Sequence, residues 1–393
     1  MKKVLIISYL FNPSKEIGSR RWSKIAKKFL ENGIQVDVLT STISKQEDGI
    51  NRQYFKPLFP RVLLKQSLTF MDKVLYKISL FFLSLLKGTP YDRSILSGKF
   101  IAQKARKLLK EKEYDSVIVS VAPFNMAFEI VKIIKEFPNT KFIVDFRDPW
   151  TWDSNYGMDI ISNKKRKLEE YKERKVSDEF GLIIVPSEFM NVYFSQKYNK
   201  EALVLPHFYD FQSKGNKRPN HVPEGISLIY GGTVYEESIS DVIDFNTKMV
   251  NEGGKCEVNY SIFSANLSIK PLTKNNNFSF EMRGRVEENK LFKEIRNSDY
   301  YLAFYPERYK NFISSKIYEI VALRTPIILV SENGELSNFI ENNNLGLFYN
   351  ISDIDELVEG LKSNSLNLKY NSSYPIEQFS LSNVVQDLIT NHL

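Results

Sequence analysis

A chain of 393 residues exceeds what one hydrophobic core usually organises, so two domains are expected. Its composition, 42% apolar and 26% charged, is that of a soluble globular protein. The single cysteine, Cys256, excludes an internal disulfide framework and a cysteine-based metal site, and His207, His221 and His392 are too scattered to suggest a histidine one.

The net charge of +7 conceals an asymmetry: residues 1–110 carry 22 Lys/Arg against 7 Asp/Glu, net +15, leaving −8 for the remainder. These basic residues lie among long aliphatic runs, without a nucleic-acid motif, which points to anionic lipid rather than nucleic acid. The apolar run Val4–Ile7 is too short for a signal-peptide core, and the longest mostly apolar stretch, Ile78–Leu86, is nine residues where a spanning helix needs about 20. The expectation is a cytoplasmic protein, peripheral on the inner face of the plasma membrane.

In chain order, Val4–Ser8 reads as a buried strand. A loop with Asn12, Pro13 and Gly18 follows, then a helix capped by Ser19 and stopped at Asn32-Gly33. Val36–Thr40 completes the β-loop-α-β opening of a doubly wound sheet, without the dinucleotide G-x-G-x-x-G. Gly18 and free backbone N–H groups at a helix start, beside Arg20 and Arg21, suit an anion; a plain βα turn is the alternative. Over 61–87 Leu64, Leu68, Met71, Leu75, Ile78, Phe82 and Leu85 recur with helical spacing, accompanied by Arg61, Lys65, Lys73, Lys77 and Lys87. This helix either packs on its own domain or faces lipid.

Helices are expected at Ile101–Leu109, Phe128–Lys135, 163–176 and from Glu188, with strands at Ser116–Ser120, Lys141–Phe146, Leu182–Val185 and Ala202–Leu205. Asp145-Phe-Arg-Asp-Pro-Trp150 places two carboxylates and a guanidinium where a strand ends, the position at which open α/β sheets bind ligands. An Asp–Arg–Asp cluster that merely pins a loop is the competing reading. Pro206, Gly215, Pro219, Pro223 and Gly225 mark a linker. Strands then recur at Ile226–Tyr230, Val258–Phe263, Phe278–Met282, Tyr300–Phe304 and Pro326–Val330, with a Gly231-Gly232-Thr233 turn, helices from Ser240 and over Ser315–Leu323, and a last helix at 382–391. Lys316 and Glu319 share a helix face, as an ion pair or as ligands for a diphosphate and ribose hydroxyls.

Val4–Trp22, the D-F-R-D-P-W motif, Leu205-Pro-His-Phe-Tyr-Asp210, Tyr230–Tyr235, Ser315-Lys-Ile-Tyr-Glu319, Ala322–Pro326 and Phe379–Leu388, in this order, resemble GT-B fold glycosyltransferases of the family-four type found in bacterial polysaccharide gene clusters. The resemblance implies two Rossmann-like α/β domains facing across a cleft, the C-terminal helix crossing back to the first domain. The boundaries are 1–205 for the acceptor domain, 206–225 for the linker, 226–375 for the nucleotide-sugar domain and 376–393 for the closing helix. It implies sugar transfer from a nucleoside diphosphate sugar to a glycan or lipid-linked glycan, usually retaining, with no metal and no other cofactor. Asp148, Asp145 and Arg147 would form the catalytic loop. Gly18, Ser19, Arg21, Gly232, Thr233, Arg285, Lys316 and Glu319 would bind the donor. Departures from the family pattern are Asn311 in place of the first glutamate of E-x7-E, Thr233 near the usual Arg, Glu236 and Glu237 where a Lys is usual, and His207 where Asn is common. A GT-B-like nucleotide-sugar epimerase and a non-catalytic nucleotide-sugar-binding module are the alternatives.

Overall fold

The computed structural model describes residues 1–14, 17–44, 48–65, 68–152, 155–212, 225–251, 255–265, 269 and 277–393. Most of the expected linker, 213–224, lies outside the described residues. The chain divides into two compact units, Met1–Pro206 with Val384–Leu393, and His207–Asn383.

The first unit runs β1 (Lys3–Ser8), α1 (Arg20–Glu31), β2 (Gln35–Thr40), β3 (Asn51–Tyr54), α2 (Phe70–Ser84), α3 (Gly98–Glu111), β4 (Ser116–Val121), α4 (Asn125–Ile134), β5 (Lys141–Phe146), α5 (Asn163–Glu179), β6 (Leu182–Val185), α6 (Glu188–Tyr198) and β7 (Leu203–Val204). Its seven strands, all parallel, lie in the order β3-β2-β1-β4-β5-β6-β7. Continuous apolar runs such as Val4–Ile7 and Val117–Val119 form the central strands because helices cover both faces of a parallel sheet.

The second unit runs β8 (Gly225–Gly231), α7 (Ile239–Asn251), β9 (Glu257–Phe263), β10 (Phe278–Arg283), α8 (Glu288–Asn297), β11 (Tyr300–Phe304), α9 (Ser315–Ala322), β12 (Ile327–Val330), α10 (Glu335–Asn342), β13 (Gly346–Tyr349) and α11 (Ile354–Ser363). The closing helix α12 spans Leu381–Asn391. The six strands are again all parallel, in the order β10-β9-β8-β11-β12-β13. Trp22, Trp150 and Trp152 all belong to the first unit, while Cys256 is buried in the second.

The edge strands β3 and β13 were not expected. Asn51-Arg-Gln-Tyr54 is polar, and Gly346–Tyr349 is only four residues long. Residues 61–87 also differ from a single helix. Arg61–Leu64 is a 3-10 turn, and α2 starts only at Phe70, where Thr69 and Asp72 form a reciprocal capping box. The apolar stripe of α2 points outward: Met71, Leu75, Ile78 and Phe82 are exposed, while Asp72 and Leu83 on the opposite side are buried. No helix among the described residues is long and apolar enough to cross a membrane.

Candidate functional site

In the first sheet the chain passes from β1 to β2 on one side and to β4 on the other. The loops after β1 and β4 therefore diverge, leaving the crevice in which open α/β sheets bind ligands. Strand register aligns Ser8, Ser120 and Asp145 in one row near the carboxyl ends of β1, β4 and β5.

Arg147 bridges the diverging loops. Its Nη1 donates to the Gly18 carbonyl at 2.5 Å, its Nη2 to the Ala122 carbonyl at 2.6 Å, and its Nε to the Val121 carbonyl at 3.2 Å. A Cβ at Gly18 would lie 2.9 Å from Arg147 Nη1, so a side chain there would push on the end of the Arg147 side chain. The Ser19 hydroxyl turns back to the Ser14 carbonyl at 2.7 Å.

Asp145 is fully buried. Its Oδ2 accepts from Trp22 Nε1 at 2.6 Å and from the Ser120 hydroxyl at 3.4 Å, and its Oδ1 lies 3.6 Å from Arg21 Nε. Arg21 is also buried, donating to the carbonyls of Leu205 at 2.6 Å and Pro206 at 3.0 Å. Asp145 and Arg21 thus form an internal pair joining β5, α1 and the chain after β7. A buried charge is tolerable only when paired in this way.

Asp148 differs from Asp145 in being half-buried. Its Oδ2 accepts from the Tyr156 hydroxyl at 3.1 Å. Tyr156 has a left-handed backbone (φ 61), uncommon and strained for an aromatic residue, and its ring packs edge-on against Phe124. Burial, reinforced by the Asp148 charge, raises its phenol pKa far above the ordinary value. The hydroxyl therefore stays protonated and fixes Asp148 as a hydrogen-bond acceptor.

The loop rests on buried charges of α5. Trp150 Nε1 donates to Glu169 at 2.9 Å, and Glu169 pairs with Lys172 at 3.0 Å. Glu173 accepts from Thr151, from Tyr193 at 3.0 Å and from Tyr198 at 2.6 Å. Trp152 stacks on Tyr193 with centroids 4.4 Å apart. Sequence reasoning missed these supports because every face of α5 carries charge. The available signal was the i, i+3, i+4 spacing of 169, 172 and 173.

The second sheet reverses order between β8 and β11. Tyr301 spans that boundary, its hydroxyl donating to the Gly231 carbonyl at 3.1 Å. Tyr235 from the loop after β8 packs on Tyr305 and Tyr309 from the loop after β11, at 5.9 Å and 4.6 Å. Arg308 lies over the Tyr309 ring at 4.8 Å and pairs with Glu237 at 3.2 Å. None of these four tyrosines, nor Arg308, was nominated as a site residue from sequence. Gly232 donates its N–H to the Phe263 carbonyl at 3.0 Å, and Thr233 is exposed.

α9 begins after the β11 loop, at the same boundary. Its buried Glu319 lies 2.9 Å from Lys316, whose ammonium is 5.7 Å from the Phe292 ring centroid. The intrahelical ion pair is present. Arg285 is exposed on the loop after β10. Asn311 accepts from the Glu335 N–H at 3.1 Å, so its side chain caps α10.

Among the described residues no three His, Cys, Asp or Glu side chains are grouped to hold a metal. A cavity of about 530 Å³ opens beside β13, lined by Glu341, Phe348, Tyr349, Glu356 and Glu359 among others, and contains none of the nominated residues.

No family model matches the chain, and no curated protein matches it in sequence. Solved structures match it along nearly its whole length. A trehalose-6-phosphate structure from E. coli bound with UDP-2-fluoro glucose aligns at 11% identity and TM-score 0.64, covering 99% of this chain and 98% of the other. The trehalose-6-phosphate synthase OtsA aligns at 12% and 0.62, covering 99% and 98%. Sucrose-phosphate synthase from Thermosynechococcus elongatus aligns at 12% and 0.58, covering 99% and 97%. Identity this low speaks of fold alone: the chain has the GT-B fold, two α/β domains each on a parallel sheet.

Proposed function

We propose that this protein is a glycosyltransferase that moves a sugar from a nucleoside diphosphate sugar to a glycan or lipid-linked glycan, in cell-surface polysaccharide assembly on the cytoplasmic face of a membrane. The observation that carries it is placement: Gly18 and the Arg147 clamp sit at the strand-order reversal of the first sheet, and Lys316–Glu319 at that of the second. The likeness to a structure with a bound UDP-sugar analogue supports such a donor, and the motif order supports the family-four type.

On this reading the second unit holds the donor. Glu319 accepts from ribose hydroxyls, and Lys316 and Arg285 neutralise the diphosphate. The bond from the sugar's anomeric carbon to the diphosphate breaks, and a bond to the acceptor oxygen forms with retention. The leaving charge is met by these cations and the N-terminus of α9, without a metal. Asp148 orients the acceptor hydroxyl and takes its proton. Asp145 and Arg21 act as positioning residues because both are buried, and Arg147 holds the two loops of the acceptor side.

Incubating the full chain with a panel of nucleotide sugars, with and without lipid-linked acceptor, tests this. Acceptor-dependent release of nucleoside diphosphate, unaffected by EDTA, is expected. An epimerised sugar, or activity lost in EDTA and restored by a divalent ion, overturns it. Asn311 serving α10 favours a second reading, a binding module; donor binding without turnover is its signature.

A further inference from the structure

The outer face of α2 has no role in the reaction above. Phe70 is 81% exposed, Met71 65%, Leu75 48%, Phe81 62%, Phe82 62%, and the C-cap Leu85 68%. At about 100° per residue these six fall within an arc of about 140°, opposite Asp72 and Leu83. Helices of soluble domains normally turn such a stripe inward, and a contiguous exposed apolar face marks a contact with protein or membrane. Charge decides between them. Arg61, Lys65, Lys73, Lys77 and Lys87 are all exposed, whereas Asp72, the one acid in 61–87, is buried beneath Lys65 at 2.6 Å. A bordering set of cations without exposed acids matches an anionic surface.

We infer that α2 lies in the plane of an anionic bilayer with Phe70, Met71, Phe81 and Phe82 inserted at the headgroup boundary. This deepens the membrane-acceptor reading, on which it rests for its purpose, by naming the inserted face. It also divides the binding into two parts. The lysines contribute about fivefold each, screened over a Debye length of about 10 Å at 0.1 M salt and about 3 Å at 1 M. The inserted side chains are indifferent to salt, so binding falls as salt rises and then levels off.

The test is co-sedimentation of the full chain with vesicles of phosphatidylcholine and phosphatidylglycerol at both salt concentrations. The parent binds at low salt and keeps a salt-resistant fraction. Phe81→Ser with Phe82→Ser removes that fraction, lowering affinity on the order of a hundredfold, while circular dichroism and thermal unfolding stay as in the parent. Lys73→Glu with Lys77→Glu lowers low-salt binding on the order of tenfold or more. Leu75→Trp, otherwise native, is quenched by brominated lipid. Failure of the parent to bind, parental binding by the phenylalanine variant, or an unquenched Leu75→Trp overturns the proposal. So does a lipid-free dimer that the phenylalanine variant converts to monomer without any vesicle binding, since a second copy then covers the face. Vesicle binding needs no donor, and the same variant's turnover of a water-soluble acceptor stays intact, so this result is independent of whether the chain transfers sugar.

Discussion

Gly18 and Arg147 meet where the Arg147 guanidinium donates to the Gly18 carbonyl. Gly18→Ala places a methyl group 2.9 Å from Arg147 Nη1, so the guanidinium must shift and its hold on the Gly18 carbonyl should loosen. Arg147→Lys keeps the charge but loses the planar fork. We expect each to cost on the order of tenfold or more in turnover, and the double variant little more than either. Additive losses in such a cycle would separate the two. Asp148→Asn should lower turnover with donor affinity unchanged by calorimetry; normal turnover with collapsed affinity would move Asp148 to the donor side. Glu319→Ala should weaken donor binding about ten- to hundredfold, the worth of hydrogen bonds to a charged acceptor. An unchanged affinity would remove it from the site. Asp37 gives a pH signature. Burial raises its pKa, but hydrogen bonds from Lys112, Tyr114 and Asn51 outweigh burial and hold it below the usual carboxylate value. A depressed folded pKa stabilises the fold above the unfolded value of about 3.9 and loses that contribution as pH falls through the folded one. Thermal unfolding of the parent should therefore drop more steeply below about pH 4 than that of Asp37→Asn. The charged motif at 145–148 was legible in sequence as a cluster at a strand end. Its division of labour was not, because Asp145 and Asp148 look alike until one is enclosed by Trp22 and Arg21 and the other is left half-open.

At the level of elements, the sequence pattern located the strands that carry the site, since β1, β4, β5, β8 and β11 each contain a short buried apolar run. Period says which side chains share a face, but not which way the face turns. That is why α2 could be recognised as amphipathic while its outward orientation required coordinates. α5 shows the opposite limit: three of its many charges are buried, and nothing local marks them. Glu173→Ala should leave Thr151, Tyr193 and Tyr198 without their common acceptor beside Lys197. Breaking a buried charged network costs about 3–5 kcal/mol, so first-unit stability in urea should fall by that order. A loss under about 1 kcal/mol would show the network to be dispensable.

For the molecule as a whole, two parallel-sheet domains could be read from length, the repeated strand-helix rhythm and the motif order. The resemblance implied a C-terminal helix crossing back to the first domain, and the final ten residues, Val384–Leu393, belong to the first unit. Val385 and Leu388 are fully buried there, and the Lys141 ammonium donates to the His392 carbonyl at 2.8 Å. Ending the chain at Asn383 should destabilise the first unit by at least the burial of two aliphatic side chains, about 3–6 kcal/mol, and leave the second unit's transition in place. The uneven distribution of two rare residue types makes this measurable without labels. Indole emission comes from the first unit alone, because all three tryptophans reside there. The lone thiol, Cys256, is buried in the second unit, with burial pushing its pKa up, so it should react with a disulfide reagent only when that unit opens. One sample thus carries an optical clock for one half and a chemical clock for the other, and the order in which the halves open can be timed in a single unfolding experiment.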